Sequence, residues 1–216
     1  MTLLTYTRTQ LKAQIRQALQ ERAATLVKDT EIERWIDVAL DDVAVNTFCL
    51  RAVASASCSA NQQLYDLSAM CLGPWSISRL EYDGRRLLPK EFGLLDEEMG
   101  GAKDKGLTST GAPQVYFAYG RQIGLWPVPA ENSKVMRYWY ARHPQTLSAD
   151  AMSIIDLGFS VIHGPAIESF AAARGLAFKG KLQESQGAMQ QNQMDLARSS
   201  NKAMPDNTPS ELTSSG

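Results

Sequence analysis

The hydrophobic positions of the first fifty residues recur with the period of an α-helix. Leu11, Ile15 and Leu19 lie four residues apart, which places them on one face of a helix predicted over residues 9–26. Thr30 and Glu33 have the spacing of a capping box, which predicts that a second helix starts there. A wide apolar stripe follows, made of Ile32, Trp35, Ile36, Ala39, Leu40 and Val43. The pattern predicts an antiparallel pair of helices.

The period changes at about Cys49, where glycines and prolines begin to separate short runs rich in Tyr, Val, Ile and Trp. Such runs are typical of β-strands. The clearest hairpin is ISRLEYDGRRLLP, because Asp83 and Gly84 suit a two-residue turn between strands. Three further strands are predicted in QVYFAYG, RQIGLWP and KVMRYWYARHP, the second of which is ended by prolines. The pattern therefore predicts a β-domain over residues 49–146.

Helical spacing returns after Pro144. Ser148 and Asp150 suit the start of a helix, since a hydroxyl can cap it and a negative charge is favourable in its first turn. Apolar residues crowd the stretch from Ile154 to Ile162, which predicts that this helix is buried on most sides. The dipeptide Gly164-Pro165 then predicts a kink or a fresh helix start, because proline lacks a backbone donor.

The remainder of the chain is more polar. A polar helix is predicted after Gly180, and residues 204–216 have the composition of a flexible tail. Residues 147–203 are predicted to complete a helical bundle with residues 1–48, and the β-domain of residues 49–146 is inserted into it. The predicted fold class is α+β, in which the antiparallel β-domain is sandwich-like.

Composition and charge narrow the function. Of 216 residues, 44% are hydrophobic and 21% charged, as is typical of a globular protein. The 22 Lys and Arg nearly balance the 23 Asp and Glu, so general nucleic-acid binding is disfavoured. No stretch approaches the roughly 20 apolar residues of a membrane helix, and the N-terminal segment becomes polar too early for a secretory signal. The chain is therefore expected to be made and to fold in the cytoplasm, without a membrane partner.

The residues that most often perform catalysis form no recognisable pattern. Cys49, Cys58 and Cys71 lack the close spacing of a metal or redox site and are interpreted as buried or half-buried thiols. His143 and His163 are interpreted as capping or packing residues. The sequence contains no GxSxG, HExxH or GxxxxGK[ST] motif. No catalytic, cofactor-binding or metal-binding residue is predicted.

Two acidic runs are the nearest approach to a carboxylate site. Asp96, Glu97 and Glu98 are adjacent in the chain, as are Asp41 and Asp42. Adjacent residues on a helix point in different directions, so their carboxylates do not readily converge on one ion. Both runs are interpreted as solvated surface.

Aromatic residues lie on both faces of the predicted strands. Tyr116 faces away from Phe117, and Trp139 faces away from Tyr138 and Tyr140. Two interpretations stay open: a core covered on both sides, or a surface that meets a neighbouring copy, where Tyr, Trp and Arg are favoured. Stacking of single-stranded nucleic acid is disfavoured because basic residues are few. The interface candidates in this region are Tyr116, Trp126, Arg137, Trp139, Tyr140 and Arg142.

A series of short motifs follows one order along residues 10–185. An amphipathic helix precedes TEIERWIDVA (30–39), YDL (65–67), PWSISRLEYDGRRL (74–87), GAPQVY (111–116), IGLWPVP (123–129), a YWY strand (138–140) closing at His143-Pro144, and two alanine-rich helices. This order resembles the head-to-tail adaptor, or connector, proteins of tailed bacteriophages. Within them, it is similar to the tail tubular protein A type of short-tailed phages.

The resemblance implies a structural, non-enzymatic virion protein without a cofactor. About twelve copies would form a ring beneath the portal protein, at the virion neck, and present a surface to tail or nozzle proteins. Genomic DNA would pass through the ring without specific binding. The resemblance also implies docking onto the portal through the chain after Gly180, where Lys181, Gln190 and Arg198 are the candidate contacts.

The sequence is compatible with two alternative functions. One is another non-enzymatic neck or tail part, such as a tail-completion or tail-tube component. The other is a wall-degrading hydrolase that uses Glu97 or Asp150.

Overall fold

The computed structural model describes residues 6–21, 26–69, 71–98 and 109–203, and its chain divides into two compact units. Residues 1–49 and 144–216 form the helical unit, and residues 50–143 form the β unit. The described helices are α1 (Arg8–Ala18), α2 (Asp29–Thr47), α3 (Phe92–Glu98), α4 (Gly164–Phe178) and α5 (Leu182–Ala203). The described strands are β1 (Arg51–Cys58), β2 (Leu64–Asp66), β3 (Ile77–Tyr82), β4 (Arg85–Pro89), β5 (Thr110–Gly111), β6 (Val115–Tyr119), β7 (Gln122–Trp126), β8 (Val128–Pro129) and β9 (Lys134–Ala141). The predicted α+β class is confirmed.

Helix α1 is shorter than the predicted 9–26. It ends at Ala18, and Gln20 takes a left-handed conformation with φ of 57°, which stops the helix. Helix α1 starts with a capping box that was not predicted from the sequence. The Gln10 backbone N–H donates to Thr7 Oγ1 at 3.3 Å, and the Thr7 backbone N–H donates to Gln10 Oε1 at 2.9 Å.

The capping box predicted for α2 is wrong. The helix begins at Asp29 after an N-cap residue, Lys28, whose side chain makes no capping hydrogen bond. Glu33 instead forms ion pairs with Arg8 and with Lys12, the latter at 3.2 Å. Those two basic residues on α1 compete successfully for the carboxylate, and the result is an electrostatic link between the first two helices.

Helix α4 lies at the centre of the helical unit, where it contacts α1, α2 and α5. Nine of its fifteen residues are buried. Gly175 permits a close approach, because a Cβ atom there would lie 2.8 Å from both Leu19 and Trp35. The helix starts at Gly164, with Pro165 in its first turn, where a missing backbone donor costs nothing. The predicted fresh start is confirmed.

The helix predicted after Ser148 is wrong. This stretch consists of turns, which lead into one short 3-10 turn at Val161–His163. Asp156 accepts hydrogen bonds from the Ser153 backbone N–H at 2.7 Å and from the Ser153 hydroxyl at 2.9 Å, and such local bonds compete with helix formation. Ile154, Leu157 and Phe159 are nevertheless buried, so the apolar run does reach the core.

Seven strands of the β unit form one curled sheet in the order β1-β9-β3-β4-β6-β7-β2, and β5 pairs with β8. The pairings are antiparallel except for β4 with β6 and β5 with β8. The predicted hairpin is confirmed: Asp83 and Gly84 have φ angles of 50° and 77°, as a tight turn between β3 and β4 requires. Strand β7 ends immediately before Pro127, as predicted.

One side of the curled sheet covers a cluster of buried side chains. Its members come from both halves of the strand order, so this cluster links the strands into one unit. The cluster contains Cys58, Tyr65, Cys71, Ile77, Leu80, Tyr82, Leu87, Tyr116, Ile123, Leu125, Met136, Tyr138 and Tyr140.

Candidate interaction surfaces

Two of the aromatic interface candidates lie in the core. Tyr116 is 8% exposed and Tyr140 is 6% exposed, and both belong to the buried cluster of the β unit. The Tyr140 ring packs against Tyr138 with centroids 5.4 Å apart, and burial raises the pKa of the Tyr116 hydroxyl. These rings stabilise the fold, and an interface has to be built from other residues.

Two other candidates are half-buried at other places in the β unit. Trp126 is half-buried at the end of β7, where it is paired with Val115 of β6. Arg142 is also half-buried, and its guanidinium donates to the His143 carbonyl oxygen at 3.2 Å. The structure therefore does not bring either residue together with Arg137 and Trp139.

Arg137 and Trp139 share the solvent-facing side of three neighbouring strands. The register places Trp139 between Val53 of β1 and Arg79 of β3, and Arg137 between Ser55 and Glu81. We call this surface the outer face; its residues are Arg51, Val53, Ser55, Ser57, Arg79, Glu81, Val135, Arg137 and Trp139. Two of the predicted interface residues, Arg137 and Trp139, therefore lie side by side here.

The indole of Trp139 is held in place on the outer face. The Arg79 guanidinium lies 4.9 Å from the centroid of the Trp139 ring, within the range of a cation–π contact, and also pairs with Glu81. Arg79 and Val53 were missed by the sequence reading. Strand alternation would have placed Arg79 on this side of β3, but its partner strand was not known.

The remaining candidates lie on or beside α5 in the helical unit. Gln190 and Arg198 are exposed, and Lys181 precedes the helix and pairs with Glu184 at 3.0 Å. Arg198 contacts Asp195 at 3.5 Å. Both exposed residues lie on the side of α5 that faces away from α4, so they are available to a partner.

Helix α5 is attached to α4 by polar side chains. Ser185 donates its hydroxyl to the Ala173 carbonyl oxygen at 2.9 Å, and Asn192 donates its amide to the Ala166 carbonyl oxygen at 2.8 Å. Asn192 is 3% exposed. Buried hydrogen bonds of this kind fix the position of a helix whose other side is largely glutamine and charge.

Glu168 of α4 gives this contact a pH dependence. Burial raises the pKa of the Glu168 carboxyl, and Asp195 of α5 raises it further. The folded-state pKa therefore lies above the unfolded value of about 4.5. Below that pH the carboxyl is protonated in both states and does not change the free energy of unfolding. As pH rises and the group ionises, it destabilises the fold. Glu168→Gln should therefore raise Tm by a few degrees at pH 7 and leave it nearly unchanged at pH 4.

The control for this measurement is Glu184→Gln, because Glu184 is exposed on α5 and pairs only with a surface lysine. Thermal unfolding of the three proteins at both pH values checks the expectation. A Glu168→Gln effect of the same size at pH 4 and pH 7 would show that charge is not its cause.

The described residues form no obvious reaction centre. No group of three or more His, Cys, Asp or Glu in the described ranges is arranged to hold a metal ion. His163 is buried, its Nδ1 lies 3.1 Å from the Ser160 backbone nitrogen, and burial lowers its pKa, which confirms the predicted capping role. Asp150 is 70% exposed and pairs with Lys12, and the side chains of Asp96, Glu97 and Glu98 lie outside the described residues.

The thiols match the prediction made for them. Cys58 and Cys71 are buried and Cys49 is half-buried, and none of the three forms a disulfide. Burial raises the pKa of the Cys58 thiol, which disfavours the reactive thiolate. Among the described helices, none is both long and apolar enough to cross a bilayer.

Comparison with known protein families identifies a match. The profile of a protein family described as SU10 adaptor protein matches residues 5–210 of the chain. No curated protein matches it.

Proposed function

Since the chain belongs to the SU10 adaptor protein family and is thus a structural adaptor of a phage particle, we propose that it forms the ring between portal and tail. The observation that carries the proposal is the family match, which spans both units. In the assembled virion neck, about twelve copies encircle the DNA channel beneath the portal protein and present a lower surface to tail or nozzle proteins. Synthesis and folding take place in the host cytoplasm.

The order of motifs along the chain supports a finer assignment. The IGLWPVP stretch comprises most of β7, then Pro127, then β8, and the YWY motif lies in β9. We assign the chain to the type similar to tail tubular protein A, in which the adaptor continues the channel of the portal. The near-neutral net charge of −1 supports a wall along which DNA slides without being gripped.

The portal contact is proposed for the exposed side of α5. Gln190 and Arg198 lie there, and Lys181 lies at its start. The polar attachment of α5 to α4 supports this role, because it leaves an extended polar surface that can form hydrogen bonds with a second protein.

Negative-stain imaging of the purified chain with isolated portal rings tests the function. We expect the chain to be monomeric or weakly associated alone and to add a second layer of density to the portal. Cross-links from residues 181–203 should reach portal subunits. Cross-links to tail-tube subunits instead, without added density on the portal, would identify the chain as a tail component.

A further inference from the structure

The outer face of the β unit carries unneutralised positive charge beside apolar side chains. Arg51 and Arg137 are exposed and take part in no ion pair with another described residue. Val53 is 54% exposed and Val135 is 47% exposed, and both lie next to Trp139 or Arg137. Arginine and tryptophan among apolar groups are the side chains most often found at the energetic centres of protein interfaces.

The face ends at a strand edge that is open within the described part of the chain. Strand β1 pairs with β9 over all eight of its residues and lies at one end of the strand order. Arg142 donates its backbone N–H to Leu50, and Ser133 donates to Cys58, so the even-numbered residues of β1 direct their backbone groups toward β9. The backbone groups of Arg51, Val53, Ser55 and Ser57 therefore point outward.

The opposite edge of the sheet differs. Strand β2 has three residues, and Gln62 Nε2 donates to the Leu64 carbonyl oxygen at 3.0 Å, which occupies part of that edge. Proteins protect exposed edges with short strands, prolines, lysines or covering groups. Strand β1, with the sequence RAVASASC, is long and carries no proline or lysine, as expected of an edge that becomes covered on assembly.

The chain itself contains a unit of opposite net charge. Residues 50–143 carry 11 Lys and Arg against 9 Asp and Glu, and the rest of the chain carries 11 against 14, so the two units have net charges of +2 and −3. Residues 35–50 and 143–173 contain no Lys or Arg. In the second of these stretches Asp150 and Asp156 are exposed, and Ile155 between them is 44% exposed.

We propose that the outer face and the open edge of β1 form the surface through which one copy of this chain docks onto the acidic helical unit of the next copy. The contact joins two different surfaces, so it can repeat around a closed ring. Arg51 and Arg137 meet carboxylates of the neighbour, and Val53, Val135 and Trp139 fill the apolar centre. The inference rests on the proposed ring function and names the surface that builds the ring.

The test is the double variant Arg51→Glu/Arg137→Glu, assayed for complete ring formation on portal rings by negative stain. We expect the concentration needed for complete rings to rise roughly 30-fold, because like charges then face each other across the contact. The matched control is Arg85→Glu/Arg121→Glu, which reverses two exposed arginines outside the outer face: Arg85 is paired with the buried Tyr82, and Arg121 lies in the turn between β6 and β7. It should assemble as the wild-type chain does; equal behaviour of the two double variants overturns the proposal.

Hydrogen exchange gives a readout that does not depend on a variant. In the free chain, the outward amides of Val53, Ser55 and Ser57 should exchange faster than those of Ala54 and Ala56, which bond to β9. On ring formation the outward amides should become protected. Unchanged exchange at these amides in a complete ring would contradict the proposal.

Mixing separates this inference from the function on which it rests. A copy with a defective outer face keeps an intact acidic surface, so small amounts of the double variant should stop ring growth by wild-type copies. If wild-type chain forms rings and the variant neither assembles poorly nor blocks them, the docking surface is wrong and the adaptor function stands. If wild-type chain never binds a portal, the adaptor function itself fails.

Discussion

Replacing Lys179 by Met should lower the free energy of unfolding of the chain by about 3 kcal/mol, because the change leaves a buried carboxylate with one distant partner. The Glu21 side chain is 5% exposed, and its carboxylate lies 3.2 Å from Lys179 Nζ and 3.7 Å from the Arg16 guanidinium. Arg16 is also engaged by Asp29 and by the Val27 carbonyl oxygen. Lys179 further donates to the Leu19 carbonyl oxygen at 2.9 Å, where α1 ends.

Lys181→Met is the matched control, since Lys181 pairs with Glu184 on the surface at 3.0 Å and should contribute no more than about 0.5 kcal/mol. A second control, Glu21→Leu/Lys179→Met, removes both charges and should recover most of the stability, because an apolar pair needs no compensation. Urea unfolding of the four proteins provides the measurement. Equal midpoints for the two lysine variants would show that the Glu21 pair is not energetically significant.

Gly124→Ala should destabilise the β unit by about 2–3 kcal/mol, because overpacking displaces a buried ring. Gly124 of β7 is paired with Phe117 of β6, and a Cβ atom at Gly124 would lie 2.0 Å from the Phe117 ring. Phe117 is 2% exposed and packs against Phe92 with ring centroids 5.3 Å apart, so it has little room to move.

Gly93→Ala is the control, because a Cβ atom at Gly93 has no neighbour within 4 Å and lies in helix α3, where alanine is favoured. This variant should be neutral or slightly stabilising. The double variant Gly124→Ala/Phe117→Leu should recover part of the loss, since a smaller side chain leaves space for the added methyl group. Thermal unfolding checks all three, and similar Tm values for the two alanine variants would contradict the packing account.

Composition was sufficient to predict β3, β4, β6, β7 and β9, because short runs rich in Tyr, Val, Ile and Trp between turn residues favour strands. The Asp83-Gly84 turn was predictable for a local reason, since its positive φ angles restrict the residue types. The helix predicted after Ser148 failed because an apolar run has no unique conformation. There turns are stabilised instead, by hydrogen bonds that Asp156 accepts from Ser153 and by a hydrogen bond from the Arg8 backbone N–H to the Met152 carbonyl oxygen.

Strand order decides which interface candidates are buried and which face solvent, and the sequence does not reveal strand order. Tyr138 and Trp139 are adjacent aromatic residues, yet Tyr138 lies in the core and Trp139 on the outer face. Only the pairing of β9 with β1 and β3 decides which side is enclosed. Likewise, the association of Trp139 with Arg79 joins residues 60 positions apart in the chain.

Cryo-electron microscopy of the virion neck tests the adaptor function most directly. Particles that carry the chain should show a ring of repeated two-unit density between portal and tail, and particles lacking it should have filled or emptied heads without attached tails. Tails that join the heads normally in the absence of the chain, or a neck ring built from another protein, would contradict the account.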